Sequence, residues 1–444
     1  MLNYDVIMII CANTPNKQDL LSLALTSKVF LEPVLDVLWK KMTSLQPLLS
    51  VLPETTLVNG QKMFLQPIAP SSWDRLRFYT SRVREFDEWE PYTENKPTVH
   101  YSVTPILTQK CLSSNSYTLF LAPTLQEVSW PCYSVGSLEA DRNPDLGPSF
   151  AFLVSKVPEL KYLTLGGYTY SGLLCSLRCL RALEILEVTM LSESSYLEMD
   201  FIEALASLPK LTDLSLSLPA GIVLDYTGVE SGFSSLTKLR VLTVDWKLED
   251  DEPPLTDYYA AITRILPSFP FLQRLRITKT LSFPELFPEL NELQLWSIFE
   301  PLLKLKRLEH LHYSLPLHLS DQNAARIACA WPYLEDLYFL SAGDESTSPQ
   351  SPIYLAEHCP NLKQISFHGS LNHHSGTPWR FSVKQFFWNI VELDPMEAPA
   401  IALCLHQIFP NLAESTGIGS GWSQVRDDLK SFIFLRDQNR QCQE

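Results

Sequence analysis

Apolar and polar positions along this chain keep returning to one phrase, apolar-Pro-x-Leu-x-x-Leu-x-Leu, clearest in Leu208 to Leu216 (LPKLTDLSL) and Cys359 to Phe367 (CPNLKQISF). Related copies begin at Val157 (VPELKYLTL), Leu236 (LTKLRVLTV), Phe269 (FPFLQRLRI), Phe287 (FPELNELQL), Leu305 (LKRLEHLHY) and Trp331 (WPYLEDLYF). Weaker ones start at Thr124, Leu180 and Phe409. The closing apolar-polar-apolar step has the period of a short strand with one buried face. Proline forces the residue before it out of the helical region, so it marks a corner where a preceding segment ends. Helical patterns lie upstream of several copies, at Phe201 to Leu208, Tyr258 to Leu266, Ala324 to Ala330 and Ile353 to His358. Each unit therefore reads as helix, corner, strand.

One such unit cannot bury its own apolar face, so neighbours must stack into a continuous parallel sheet. Equivalent leucines recur every 18 to 33 residues or so, bracketing the leucine-rich-repeat period of about 20 to 29. The fold class expected is α/β: an irregular leucine-rich-repeat solenoid, with its parallel sheet on the concave side and helices outside, preceded by a small helical segment.

Composition narrows the partners. The 444 residues carry 35 basic and 50 acidic side chains, a formal charge of -15, which disfavours nucleic acid and anionic membranes as primary partners. Nine cysteines are scattered. Cys175 and Cys179 lie closest, without a second pair at zinc spacing, which predicts reduced, buried thiols and a cytoplasmic or nuclear setting. The apolar run Val6 to Ala12 is too short to span a bilayer.

Ahead of the repeats, Asn16 or Asp19 can cap a helix reaching Ser27 or Lys28. A second helix is expected from about Glu32, with Pro33 in its first turn and Leu35, Leu38, Trp39 and Met42 at helical spacing. The stretches Asp19 to Phe30 (DLLSLALTSKVF) and Glu32 to Trp39 (EPVLDVLW) resemble the second and third helices of an F-box, most closely the version in large fungal F-box families. Members of those families dock on a Skp-type adaptor and so recruit a cullin ubiquitin ligase (the SCF assembly), while repeats behind the motif bind a protein substrate. The resemblance implies a non-catalytic substrate adaptor, without cofactor or metal, whose F-box-like segment holds the Skp-type adaptor. The alternative is a protein-binding scaffold without adaptor contact. Leu20, Leu23, Leu25, Val29, Phe30, Leu38 and Trp39 are then the candidates for the adaptor interface or its supporting core. The family's opening Leu-Pro with an acidic residue lacks a counterpart in Met1 to Asn13, so the first helix is incomplete or diverged. The expected organisation is F-box-like helices over 1–45, a helical linker and solenoid entry over 46–120, the solenoid over 121–415 and a capping helix and tail over 416–444.

Within the linker, Ser71 or Ser72 is expected to cap a helix before Trp73. Arg75, Arg77, Arg82 and Arg84 form the most basic patch of the chain. Phe86 to Pro97 reads as a loop and Cys132 to Pro148 as an insertion. Gly417 to Gly421 has the composition of a phosphate loop but no following Lys-Ser or Lys-Thr. His373 and His374 lie on a polar loop and lack further ligands. The strands themselves offer a ligand face, because residues between the leucines point away from the core. Those positions are Asp213 and Ser215, Arg274 and Arg276, His310 and His312, and Asp336 and Tyr338, with Val241, Thr243, Gln364 and Ser366 in equivalent places. Their mixed polarity suits recognition of a protein surface.

Overall fold

The computed structural model describes residues 3–87, 124–131, 156–167, 176–190, 199–219, 235–247, 255–280, 292–314, 319–339, 350–368, 385–392, 414–420 and 422–441, with isolated positions between them. The expectations for Cys132 to Pro148 and for His373 and His374 lie outside these residues. Two compact units divide the chain: Met1–Ser192 with Leu197–Thr212, and Asp213–Glu444 with Glu193–Tyr196.

The first unit opens with helices α1 (Tyr4–Ala12), α2 (Lys17–Thr26) and α3 (Lys28–Lys40). Met1 to Asn13 thus supplies a first helix despite its missing Leu-Pro. Asn3 starts it by accepting a hydrogen bond from the Asp5 amide. Asn16, not Asp19, caps α2, its side chain accepting from Gln18 at 2.9 Å. α3 begins four residues earlier than its apolar spacing predicts, because Ser27 sits in an extended conformation and its hydroxyl accepts from the Val29 amide. Pro33 consequently lies inside the helix, buried, where it cannot donate to the Val29 carbonyl. Ile7, Cys11, Leu20 and Val34 form the small core between the helices.

A short strand, β1 (Lys41–Met42), leads from α3 into α4 (Gln46–Ser50) and then a hairpin, β2 (Thr55–Val58) and β3 (Gln61–Phe64). Asn59 and Gly60 turn this hairpin with φ of 49° and 77°, the left-handed pair a two-residue turn requires. α5 (Pro70–Thr80) has no side-chain cap from either serine: its start is Ala69, and the buried Glu54 carboxylate accepts the Ala69 amide at 2.9 Å. β4 (Glu85–Asp87) follows, so Phe86 is a buried strand residue rather than part of a loop. β5 (Thr98–Val99) pairs with β3. β6 (Glu127–Pro131), β7 (Tyr162–Gly167) and β8 (Ile185–Met190) continue a parallel ladder ordered β1-β4-β6-β7-β8.

The second unit holds β9 (Asp213–Pro219), β10 (Val241–Lys247), β11 (Arg274–Thr280), β12 (His310–Tyr313), β13 (Asp336–Phe339), β14 (Gln364–His368), β15 (Gln385–Glu392) and β16 (Glu414–Ser420), parallel and in sequence order. The Gly417 to Ser420 run is therefore strand. β15 and β16 extend the ladder past the last clear copy of the phrase. Helices Leu255–Ile265, Glu292–Phe299, Asp321–Ala330 and Gln350–His358 connect the strands, and Trp422–Gln441 ends the chain.

The repeated phrase has a direct physical meaning. Its first four residues close a turn in which the leucine amide donates to the carbonyl three residues back: Leu211 to Leu208, Leu272 to Phe269, Leu334 to Trp331 and Leu362 to Cys359, at 3.0 to 3.4 Å. Proline, where present, occupies the second turn position, which its fixed φ suits. The residue entering each strand then bonds the strand before it: Gln273 to Arg240, Glu309 to Gln273, Glu335 to Glu309 and Lys363 to Glu335, at 2.7 to 2.8 Å. Leucines of the phrase are buried throughout. The copy expected at Phe287 is an exception. Glu292–Phe299 is helical, with Leu293 exposed, because Leu295, Trp296 and Phe299 recur at helical spacing and are buried together. Phe299 is the hub of an aromatic cluster, with ring centroids 5.3 Å from Tyr313, 5.5 Å from Phe339 and 5.8 Å from Trp331. Burial of each such ring contributes about 2–3 kcal/mol.

Candidate functional site

Two surfaces stand out, one in each unit. On the helical segment of the first unit, the seven candidate residues separate. Leu20 is buried in the core, and Leu23, Phe30 and Leu38 pack partly buried against it, so these four hold the helices together. Leu25 and Val29 face outward at 88% and 54% exposure. Trp39 packs at a tilt against Tyr79 of α5, with centroids 4.5 Å apart. Outside those seven candidates, α1 carries an outward stripe of Val6, Ile9 and Ile10, exposed at three- and four-residue spacing within the apolar run of the first helix, and Leu21, which widens the apolar surface of α2, is exposed one turn before Leu25. The signal was there: an amphipathic helix of nine residues needs one apolar stripe, and α1 has two.

α3 is fixed in place by charge. Arg82, predicted as part of a basic patch, is nearly buried and pairs with both Glu32 and Asp36 while lying over the Phe78 ring. Burial alone would lower its pKa, but the two carboxylates more than offset this and hold it raised. Tyr4 of α1 donates to the same Asp36 at 2.9 Å. Arg84 donates to the Ser81 and Val83 carbonyls, and Arg77 pairs with Asp74. Of the basic patch, only the Arg75 side chain has no ion pair or hydrogen bond to another described residue.

In the second unit the sheet register sets the outward residues in rows. Asp213, Val241, Arg274, His310, Asp336 and Gln364 are lateral neighbours, and so are Ser215, Thr243, Arg276, His312, Tyr338 and Ser366. Across β10 to β14 these rows form a groove of about 570 Å³, to which the intervening Leu242, Leu275, Leu311 and Leu337 also contribute lining. Arg274, Arg276, His310, His312, Asp336 and Tyr338 line it, whereas Asp213 and Ser215 lie outside it.

The polar groups around the groove are largely committed to one another. His310 Nδ1 lies 2.5 Å from Asp336 Oδ2, and because a carboxylate only accepts, Nδ1 bears the proton. Lys363 donates to Glu335 at 2.5 Å, which holds the Glu335 carboxyl below its ordinary range, and Gln273 donates to Glu309 at 3.0 Å. These rim residues precede the strands, a position the alternation of apolar residues does not flag. The His312 ring stacks on Tyr338 with centroids 4.0 Å apart. Burial, and then the Arg276 charge, push its pKa down to about 4, so it is neutral at ordinary pH.

The described cysteines are all free. Cys11 and Cys359 are buried as expected, but Cys179 and Cys329 are exposed. Among the described residues no cluster of three metal-ligating side chains forms, and no helix is long and apolar enough to cross a membrane.

Turns of the form apolar-Pro-x-Leu feeding a parallel ladder of half-buried strands are leucine-rich-repeat architecture. No family model and no curated protein matches the chain. Among solved structures it is similar to the leucine-rich repeat-containing protein LegL7 from Legionella pneumophila, at 14% identity over 75% of this chain and 96% of that one, with a TM-score of 0.35. At that overlap the likeness carries no argument, and the repeat architecture rests on the turns and ladder of this chain.

Proposed function

We propose that this protein is the substrate-recognition subunit of a Skp-cullin ubiquitin ligase: α1 to α3 dock the adaptor, the groove of the second unit takes a protein substrate, and the chain does no bond chemistry itself. The observation that carries this reading is the apolar surface left on a helical segment whose core is already filled. Ile9, Leu25 and Val29 are exposed while Ile7, Cys11, Leu20 and Val34 are buried beneath them. Large outward apolar side chains on so small a segment mark a protein-binding face. The F-box resemblance of Asp19 to Trp39 supplies the class of partner.

The test is a pull-down of a Skp-type adaptor by the full chain and by a Leu25→Asp, Val29→Asp variant. Both side chains are exposed, so the variant keeps its helical circular dichroism. Retention by the parent and loss by the variant are expected. Equal retention by both would place the contact elsewhere, and capture by neither would favour a second reading, a repeat scaffold without adaptor. Two observations speak for that alternative: Met1 to Asn13 lacks the Leu-Pro of the family, and Trp39 is occupied by Tyr79.

A further inference from the structure

We infer that the groove across β10 to β14 receives an extended acidic peptide, whose Asp or Glu carboxylates pair with Arg274 and Arg276. The inference rests on the reading of this groove as the partner site and adds the chemistry of what enters it.

Three observations converge. First, both guanidinium groups are exposed and line the groove, and neither makes an ion pair or hydrogen bond to another described residue. Acidic groups nearby are already engaged: Asp336 with His310, Glu335 with Lys363, Glu309 with Gln273. Arg274 adds to the field that lowers the Glu335 pKa but forms no ion pair with it. Two guanidinium groups without a direct partner among the described residues, in the groove of a chain carrying -15, are where a carboxylate partner gains most. Second, Arg274 and Arg276 are alternate residues of one strand, about 7 Å apart at a strand's rise per residue, which is the side-chain repeat of an extended peptide laid alongside. One monoanion per arginine matches that spacing. A phosphate dianion would bring more negative charge than one arginine neutralises, next to Asp336. Third, the stacked His312 and Tyr338 rings give a flat apolar wall beside Arg276. His312 stays uncharged there, so the positive field comes from the arginines.

Fluorescence anisotropy with labelled peptides alternating Glu and Gly, Gln and Gly, or phosphoserine and Gly tests this on the full chain. The Glu peptide is expected to bind about tenfold tighter than the Gln peptide at low salt, an advantage that shrinks as salt rises. Arg274→Gln with Arg276→Gln should erase that advantage, while Arg75→Gln on α5 leaves it intact. Equal binding of Glu and Gln peptides, both lost on blocking the groove with Thr243→Trp, would overturn the acidic specificity and leave the groove a partner site. A markedly tighter phosphoserine peptide would overturn the carboxylate assignment. Failure of every peptide to bind would overturn both the inference and the groove's role, without touching the adaptor test.

Discussion

The Tyr313 hydroxyl lies wholly buried between Tyr259 and Phe299 and meets no hydrogen-bond partner among the described residues. Burial drives its pKa well up, so it stays protonated and keeps a donor it cannot use. Tyr259, its neighbour, is satisfied by Ser314 at 2.8 Å. Tyr313→Phe is therefore expected to be neutral or to stabilise by up to about 1 kcal/mol, and Tyr259→Phe to cost about 1 kcal/mol, read from urea unfolding midpoints. Glu54 is a second decisive side chain. Burial alone would raise its pKa, but hydrogen bonds from Ser72 and the Ala69 amide outweigh this and hold it below the ordinary carboxylate value. A depressed folded pKa adds stability above the unfolded value of about 4.3 and loses it as pH falls through the folded one. Glu54→Gln should thus cost about 1–2 kcal/mol near pH 7, with the gap to the parent closing in acid-unfolding curves. Neither site was legible beforehand, because an isolated Glu or Tyr in a sequence says nothing about what surrounds it.

Among elements, α3 depends on one residue beyond it. Arg82 ties Glu32 and Asp36 to the end of α5, and Asp36 also holds Tyr4 of α1. Arg82→Ala is expected to cost about 1–2 kcal/mol, a modest figure because Glu32 stays largely wet, and to speed amide exchange in α1 and α3. A retained exchange pattern would show that helix packing alone fixes the segment. Elements were readable where period and punctuation agreed. Leu208 to Leu216 has a proline corner and strict alternation, and the strand register there follows directly. The β2–β3 hairpin shows the converse, since its Asn59-Gly60 turn is a strong local signal flanked by strands too short to show alternation. Glu292–Phe299 is a helix where the repeat phrase predicts a strand, because LQL fits either period and only Trp296 and Phe299 beyond it decide for a helix.

For the molecule as a whole, the repeat architecture was legible because eight turns of like form cannot arise from propensity alone, while the groove's chemistry was half legible. Which residues face outward follows from alternation. Which of them pair, as His310 does with Asp336, depends on strands roughly twenty-five residues apart becoming lateral neighbours, as stacked repeats of that period do. From Arg240 to Lys363 each strand is entered by the same backbone handshake, amide to the preceding carbonyl, whatever side chains sit beside it. The joint between neighbours is thus interchangeable, so a whole repeat can be duplicated or excised without rewriting the seams. A lineage built this way lengthens or shortens its reading surface in steps of about 4.8 Å, and acquires new recognition by changing the number of its words as readily as their spelling.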